Sequence, residues 1–249
     1  MNLMPIKVLV IIPTYNEAAN ISRQLREIDA IRSKLSSTYD LDILNVDDNS
    51  PDGTADLART LKLKDFHQII NAKKNGLGPA YISGFKWGLE RDYDLFVEMD
   101  SDGSHLTGQL LDLLEASKGI DLVIGTRWMA GGNIENWPWY RKLISKGGTA
   151  YAARALKLPF KDLTSGYRVL SRQFLESLDL NSISSKGYGF QIEIAFQAYV
   201  NGFSIAQVPI TFIERKLGSS KMTLGIALEA FRFISLRGLS RILSVIIRR

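Results

Sequence analysis

Asp100-Ser101-Asp102 follows the apolar stretch from Tyr93 to Met99, which presents two carboxylates where a strand leaves its sheet. In extended backbone, residues i and i+2 point to one side, so Glu98, Asp100 and Asp102 would stack on a single face. Three negative charges held together require a cation. Oxygen donors alone suit a hard ion such as Mg²⁺ or Mn²⁺, which keeps part of its water shell and takes its other ligands from a substrate phosphate. A solvated acidic turn has the same spacing, so the pair acquires meaning only from what surrounds it.

Two further clusters offer polar chemistry. Asp47-Asp48-Asn49-Ser50-Pro51-Asp52-Gly53-Thr54 joins a strand to a helix, with Pro51 and Gly53 suited to the turn and Thr54 to capping. Turn chemistry accounts for Asn49 to Thr54 but not for two adjacent acids, one of which could accept hydrogen bonds from a nucleobase edge or ribose. In Pro13-Thr14-Tyr15-Asn16-Glu17, Tyr15 could stack on a base and Glu17 could accept from one. Gly76-Leu77-Gly78 opens a helix, but Tyr81 stands where a dinucleotide fingerprint has its last glycine, and no Lys-Ser/Thr pair follows.

The elements that must carry these residues alternate. Lys7 to Ile12, Leu41 to Val46, Phe66 to Asn71, Asp94 to Met99 and Asp121 to Gly125 read as strands. Asn20 to Leu35, Thr54 to Leu61, Gly78 to Arg91 and Thr107 to Ser117 read as helices between them. Repeated strand and helix predicts an α/β, doubly wound, mainly parallel sheet, which binds ligands at the carboxyl ends of its strands. All three clusters fall there, on one rim. Farther on, Gly131 to Pro138 reads as a loop, Arg141 to Leu156 and Gly189 to Asn201 as helices, and Ile205 to Phe212 as a strand whose Pro209 suits an edge.

Composition removes several classes. The 249 residues include no cysteine and two histidines, His67 and His105, so disulfide frameworks and thiolate zinc sites are out. No Gly-X-Ser-X-Gly elbow precedes a helix, and no uncharged apolar run reaches membrane-spanning length. Residues 215–249 hold eight Lys and Arg against Glu229 alone, so the rest of a chain of net charge +5 is slightly acidic. A helix from Leu236 to Arg249 would set Arg237, Arg241 and Arg248 opposite Leu239, Ile242, Leu243 and Ile246. That pattern suits either packing on the domain or lying in a membrane interface. It lacks the aromatic interleaving of a single-strand nucleic-acid surface, and we expect no nucleic-acid partner.

Taken in order, the motifs resemble the family-2 glycosyltransferases of GT-A fold, and within them the dolichol- or polyprenol-phosphate mannose synthases. The matching segments are the three rim clusters, Gly76-Leu77-Gly78, Gly125-Thr126-Arg127, Thr164-Ser165-Gly166-Tyr167-Arg168, and Glu214-Arg215 through Ser220-Lys221. The resemblance implies a GT-A catalytic domain over residues 1–222, followed by a basic amphipathic helical tail over 223–249. It implies transfer of mannose from GDP-mannose to a polyprenyl or dolichyl phosphate, with inversion. By that likeness Pro13, Tyr15, Glu17, Asp48 and Asp100 hold the nucleotide, and Asp100 and Asp102 act around Mg²⁺ or Mn²⁺ with Ser104 beside it. Arg127, Arg141, Ser145, Arg215 and Lys221 surround donor and acceptor phosphates, Asp102 and Arg127 counting as catalytic. Guanidinium forks and an ammonium charge suit that task.

An acceptor phosphate with a second pKa of about 6 is already largely dianionic at neutral pH and needs no general base. A UDP-glucose-dependent polyprenyl-phosphate glucosyltransferase would share the nucleotide and metal motifs, although the Gly76 to Gly78 and Arg215 to Lys221 signatures favour mannose. A non-catalytic nucleotide-sugar-binding subunit of a membrane complex would not need Asp100 and Asp102. The expected location is cytoplasmic, peripheral on the cytoplasmic face of a membrane, where a membrane-protein partner could also sit.

Overall fold

Val8, Leu9, Val10, Ile11 and Ile12 have no exposed surface, the mark of a central strand covered on both faces. They form the middle of β1 (Ile6–Thr14) in the computed structural model, which describes residues 4–35, 37–183, 185, 187–215 and 224–247. The alternation continues through α1 (Ile21–Leu35), β2 (Tyr39–Asp47), α2 (Thr54–Thr60), β3 (Phe66–Ile70), α3 (Leu77–Leu89), β4 (Leu95–Glu98), α4 (Leu110–Ala116) and β5 (Leu122–Thr126). Every strand and helix expected from the first half of the sequence is present, with ends shifted by at most two residues. Only the Thr107 to Ser117 helix is divided, into a short 3-10 turn at Thr107–Gln109 and α4.

The second half adds β6 (Asn133–Glu135), α5 (Trp139–Ala155), β7 (Arg168–Ser171), α6 (Arg172–Ser177), α7 (Tyr188–Val200), β8 (Ile205–Pro209), β9 (Thr211–Ile213) and α8 (Leu224–Ile247). The main sheet has the order β3-β2-β1-β4-β7-β5-β8, and β6 pairs with β9 in a separate ribbon. All neighbours in the main sheet are parallel except β7, which runs antiparallel to both β4 and β5. The run from Ile205 to Phe212, expected as one strand, breaks at Ile210, whose N–H reaches the Thr126 carbonyl, and its two halves join different sheets. Pro209 ends β8, the edge strand, as its missing donor suggests.

Side-chain alternation sorts the core into two layers. Leu9, Ile11, Phe96 and Leu170 face α3 and α7, whereas Val8, Val10, Val97 and Val169 face α1 and α4. On α3, a methyl group at Gly84 would lie 2.7 Å from Ile11 Cγ2, and one at Gly88 would lie 2.7 Å from Leu9. These glycines let the helix settle directly onto β1. The C-terminal helix α8 starts at Leu224, and its Ala230 and Ile234 are buried, Ile234 within the core. The side chains of 239–247 and residues 248–249, which carry most of the expected amphipathic stripe, lie outside the described residues. Among the described residues no helix is long and apolar enough to cross a membrane.

Candidate active site

Because β2, β1 and β4 are adjacent and parallel, the three acidic clusters emerge side by side. Hydrogen bonds tie them into one rim. Thr54 Oγ1 accepts from the Glu17 N–H at 2.9 Å, Asp52 accepts from the Ala18 N–H, and Ser50 Oγ accepts from the Asn16 N–H. Asn16 and Asn49 take positive φ, which a short amide side chain tolerates.

Of the residues expected to hold the nucleotide, Pro13 and Tyr15 are half-buried, and Lys74 Nζ sits 4.0 Å above the Tyr15 ring. Glu17 is buried and accepts from Asn20 Nδ2 at 2.8 Å. Asp48 is also buried, and its oxygens accept from Asn71 Nδ2 and from the N–H groups of Asn75 and Gly76. Asp48, expected to meet the nucleoside, anchors the loop leading into α3. The Gly76-Leu77-Gly78 signature has a matching structural cause: Gly76 has φ of 104° while donating to Asp48, and Gly78 packs against the Ser185 carbonyl.

β4 ends at Glu98, so the strand geometry that would have stacked three carboxylates does not continue. Glu98 is fully buried across from Arg168, and burial pushes its carboxyl up to about 7 against the Arg168 charge. Asp100 and Asp102 lie instead in the turn after the strand, closed by Gly103 at φ 79°. The Asp102 carboxylate is 7% exposed, accepts from the Ser104 N–H at 2.9 Å and meets Arg215 Nη2 at 3.1 Å. Asp100 keeps a third of its side-chain exposure, and burial together with the neighbouring Asp102 charge pushes its carboxyl up to about 7, partly offset by Arg215. Gly166 leaves room directly over Asp100, whose Oδ1 lies 3.5 Å from where a side chain would begin. Ser104 Oγ is buried with no hydrogen-bond partner among the described residues.

His105, part of the motif but given no role by sequence, is 1% exposed and stacks on Tyr167 with ring centroids 4.9 Å apart. Its Nδ1 accepts from the Asp100 N–H at 3.1 Å, which leaves the hydrogen of a neutral ring on Nε2, 3.7 Å from Asp100 Oδ2. Burial pushes this imidazole down to about 4, so it is uncharged at neutral pH.

The cations divide. Arg127, expected to meet phosphate, turns its fork inward: Nε and Nη2 donate to the fully buried Asp162 at 2.7 and 2.8 Å, and Nη2 also reaches Thr164 Oγ1. Burial would raise the Asp162 carboxyl, but the Arg127 charge and hydrogen bonds more than offset it and hold it below the usual range. Arg141, in the first turn of α5, is partly buried, donates Nη1 to both oxygens of Glu214 at 2.5 and 2.6 Å, and lies 4.2 Å from the Trp137 ring centroid. Ser145 follows one turn later on the same helix, half-buried. Lys221 lies outside the described residues. Sequence alone gave no role to Arg168, which is fully buried and donates to the carbonyls of Ser165, Gln191 and Leu163, holding the loop beside Asp100.

The family model of glycosyl transferase family 2 matches residues 9–179. The chain is 48% identical over 237 residues to an undecaprenyl-phosphate mannosyltransferase of Micrococcus luteus, covering 94% of this chain and 95% of that one. It is 46% identical over 221 residues to a polyprenol monophosphomannose synthase of Mycolicibacterium smegmatis, covering 87% and 81%. Among solved structures, glucosyl-3-phosphoglycerate synthase of Mycobacterium tuberculosis, in complex with Mn²⁺, uridine diphosphate and phosphoglyceric acid, superposes with a TM-score of 0.67 at 18% identity, covering 93% and 78%. That likeness is one of fold. With its mainly parallel sheet, acidic rim and close relatives, the chain is a glycosyltransferase and belongs to glycosyl transferase family 2.

Proposed function

We propose that the chain transfers mannose from GDP-mannose to a polyprenyl phosphate with inversion, giving polyprenyl-phosphate mannose and GDP at the cytoplasmic face of a membrane. The observation that carries this reading is the closure of Arg215 onto Asp102, which joins phosphate-suited chemistry from the last third of the chain to the acidic rim. The likeness to two polyprenyl-phosphate mannosyltransferases supports the sugar and the acceptor class.

Asp100 and Asp102 would hold Mg²⁺ or Mn²⁺, and they fit such an ion. They are neighbouring carboxylates, Asp100 being raised by burial and then by the Asp102 charge, with a Ser104 hydroxyl in the same turn that has no partner among the described residues. Among the described residues no cluster of three or more metal-binding acids or histidines forms, so the substrate diphosphate and water would complete the shell. When bound, the ion offsets charge on the departing diphosphate.

The chain's own residues do the rest. Tyr15 offers a platform for the base, and Asp48 and Glu17 fix the walls around it. Arg141, oriented by Glu214 and Trp137, presents charge to the acceptor phosphate with the Ser145 hydroxyl one turn away. Lys221 adds a further charge. Arg215 neutralises the leaving diphosphate. Arg127 acts as a strut through Asp162. No side chain serves as base: His105 is sealed and uncharged, Glu98 is buried behind the rim, and the acceptor phosphate is itself the nucleophile.

Radiolabelled mannose transfer from GDP-mannose to polyprenyl phosphate by the purified chain, with and without Mg²⁺ or Mn²⁺, tests this directly. We expect Asp102→Ala to abolish metal-dependent turnover, and near-normal activity would overturn the assignment. Release of UDP in place of GDP would identify a glucosyltransferase, and the absence of any sugar transfer would leave a binding subunit.

A further inference from the structure

A cavity of about 390 Å³ opens beside α5 and is not used by the reaction above. Lys146, Arg154 and Lys161 line it, all three exposed, and among the described residues none of them enters an ion pair. No acid lines it. Its wall is apolar, formed by Trp128, Leu158 and Phe160. Two lining residues carry hydrogen-bonding atoms that are buried without a partner among the described residues, Thr149 Oγ1 and Trp128 Nε1, and Thr149 is 3% exposed. Three cations, two free donors and an apolar wall together describe a receptor for an anion attached to hydrocarbon.

The setting of the cavity narrows the ligand. The lining residues Lys146, Thr149, Ala150 and Ala153 recur at helical spacing, which gives them one face of α5. The neighbouring face exposes Trp139, Tyr140, Leu143 and Ile144 to solvent, with exposures from 54 to 73%. Tyr151 extends that apolar surface onto α8 by stacking on Phe231, which is exposed in turn. The helix contains four Lys and Arg and no acid. An amphipathic element of this kind lies on an anionic bilayer, apolar face down, and brings the adjacent cavity to headgroup depth.

We infer that the α5 cavity binds the phosphate headgroup of an anionic phospholipid, with the first part of its chain against Trp128, Leu158 and Phe160. This site is separate from that of the acceptor. Neither Arg141 nor Ser145 lines it, and Arg141 is paired with Glu214, next to the Arg215 that meets Asp102. An isoprenoid chain alone would gain nothing from three cations.

The test is equilibrium binding of short-chain, soluble dihexanoyl phosphatidylglycerol to the full chain, with dihexanoyl phosphatidylcholine, inorganic phosphate and a short prenyl phosphate as competitors. We expect saturable binding of the anionic lipid alone, weakened at least about tenfold by combining Lys146→Gln with Lys161→Gln. Ala153→Phe, or Ala150→Phe if the first does not fold, fills the cavity and keeps every charge; it should abolish binding. Wild-type affinity in both fillers would overturn the proposal in favour of diffuse surface charge. Equal competition by inorganic phosphate would reduce the cavity to a free-phosphate site, and equal competition by prenyl phosphate would make it the acceptor's own. The readout is binding, so a chain unable to transfer mannose would sink the proposed reaction and leave this result standing.

Discussion

The guanidinium of Arg127 and the carboxylate of Asp162 illustrate how a residue type suited to phosphate can be committed elsewhere. A buried pair is costly to break from one side, because the survivor is left charged and unsolvated. Arg127→Ala should therefore destabilise the fold by about 3–5 kcal/mol, read as a lowered midpoint in denaturant. A phosphate ligand at the surface would lose activity with the midpoint unchanged. The pair also sets a pH dependence. The Asp162 carboxyl is held below its ordinary value, so its contribution to stability is complete above about pH 4 and is lost as pH falls through the folded value. In Arg127→Ala, burial is opposed only by the backbone N–H groups of residue 127 and Thr164, so that carboxyl rises from its wild-type position and the variant should show less of this gain in stability between acid and neutral pH. Asp48 makes a parallel case. Asp48→Asn would place a donor among three donors, and we expect faster hydrogen exchange at the Asn75 and Gly76 amides with a loss of about 1–3 kcal/mol.

At the scale of elements, the close seat of α3 on β1 gives the sharpest expectation. Gly84→Ala adds a methyl group 2.7 Å from Ile11 Cγ2, inside a layer with no slack, and should cost about 1–3 kcal/mol despite the better helix propensity of alanine. Thermal unfolding would check it. The same packing explains what could be read from sequence. The five leading strands are apolar runs, central ones such as β1 covered on both faces, and stand out against their amphipathic helices. β7 did not stand out, because it is four residues long and opens on Arg168, a charge whose burial is offset by carbonyls from Leu163, Ser165 and Gln191 and by Glu98 across the sheet, all distant in sequence or on another strand. β6 is shorter still. At the site, Asp100, Asp102 and the rim were legible because they follow strands in register. The partnerships of Arg127 with Asp162 and of Arg215 with Asp102 were not, since each joins residues far apart in sequence with no local pattern to announce it.

Across the whole molecule, the basic C-terminal segment is part of the folded body for at least its first turns. Ala230 and Ile234 are buried, and Gly238 packs closely against the Ala155 carbonyl, 2.9 Å from where a side chain would begin. A chain ending at Met222 should consequently unfold at lower temperature as well as float less with anionic liposomes, and calorimetry beside flotation would separate the two effects. The antiparallel β7 has a different kind of consequence, one of time. It lies between β4 and β5, so β5 and β8 cannot join the sheet until the chain has reached Ser171 and turned back. The β3-β2-β1-β4 half has only local crossovers to complete, whereas the other half waits on a distant segment. As the chain leaves the ribosome, the half of the rim carried by β2, β1 and β4 can therefore assemble first, with β4 as a temporary open edge that β7 later closes.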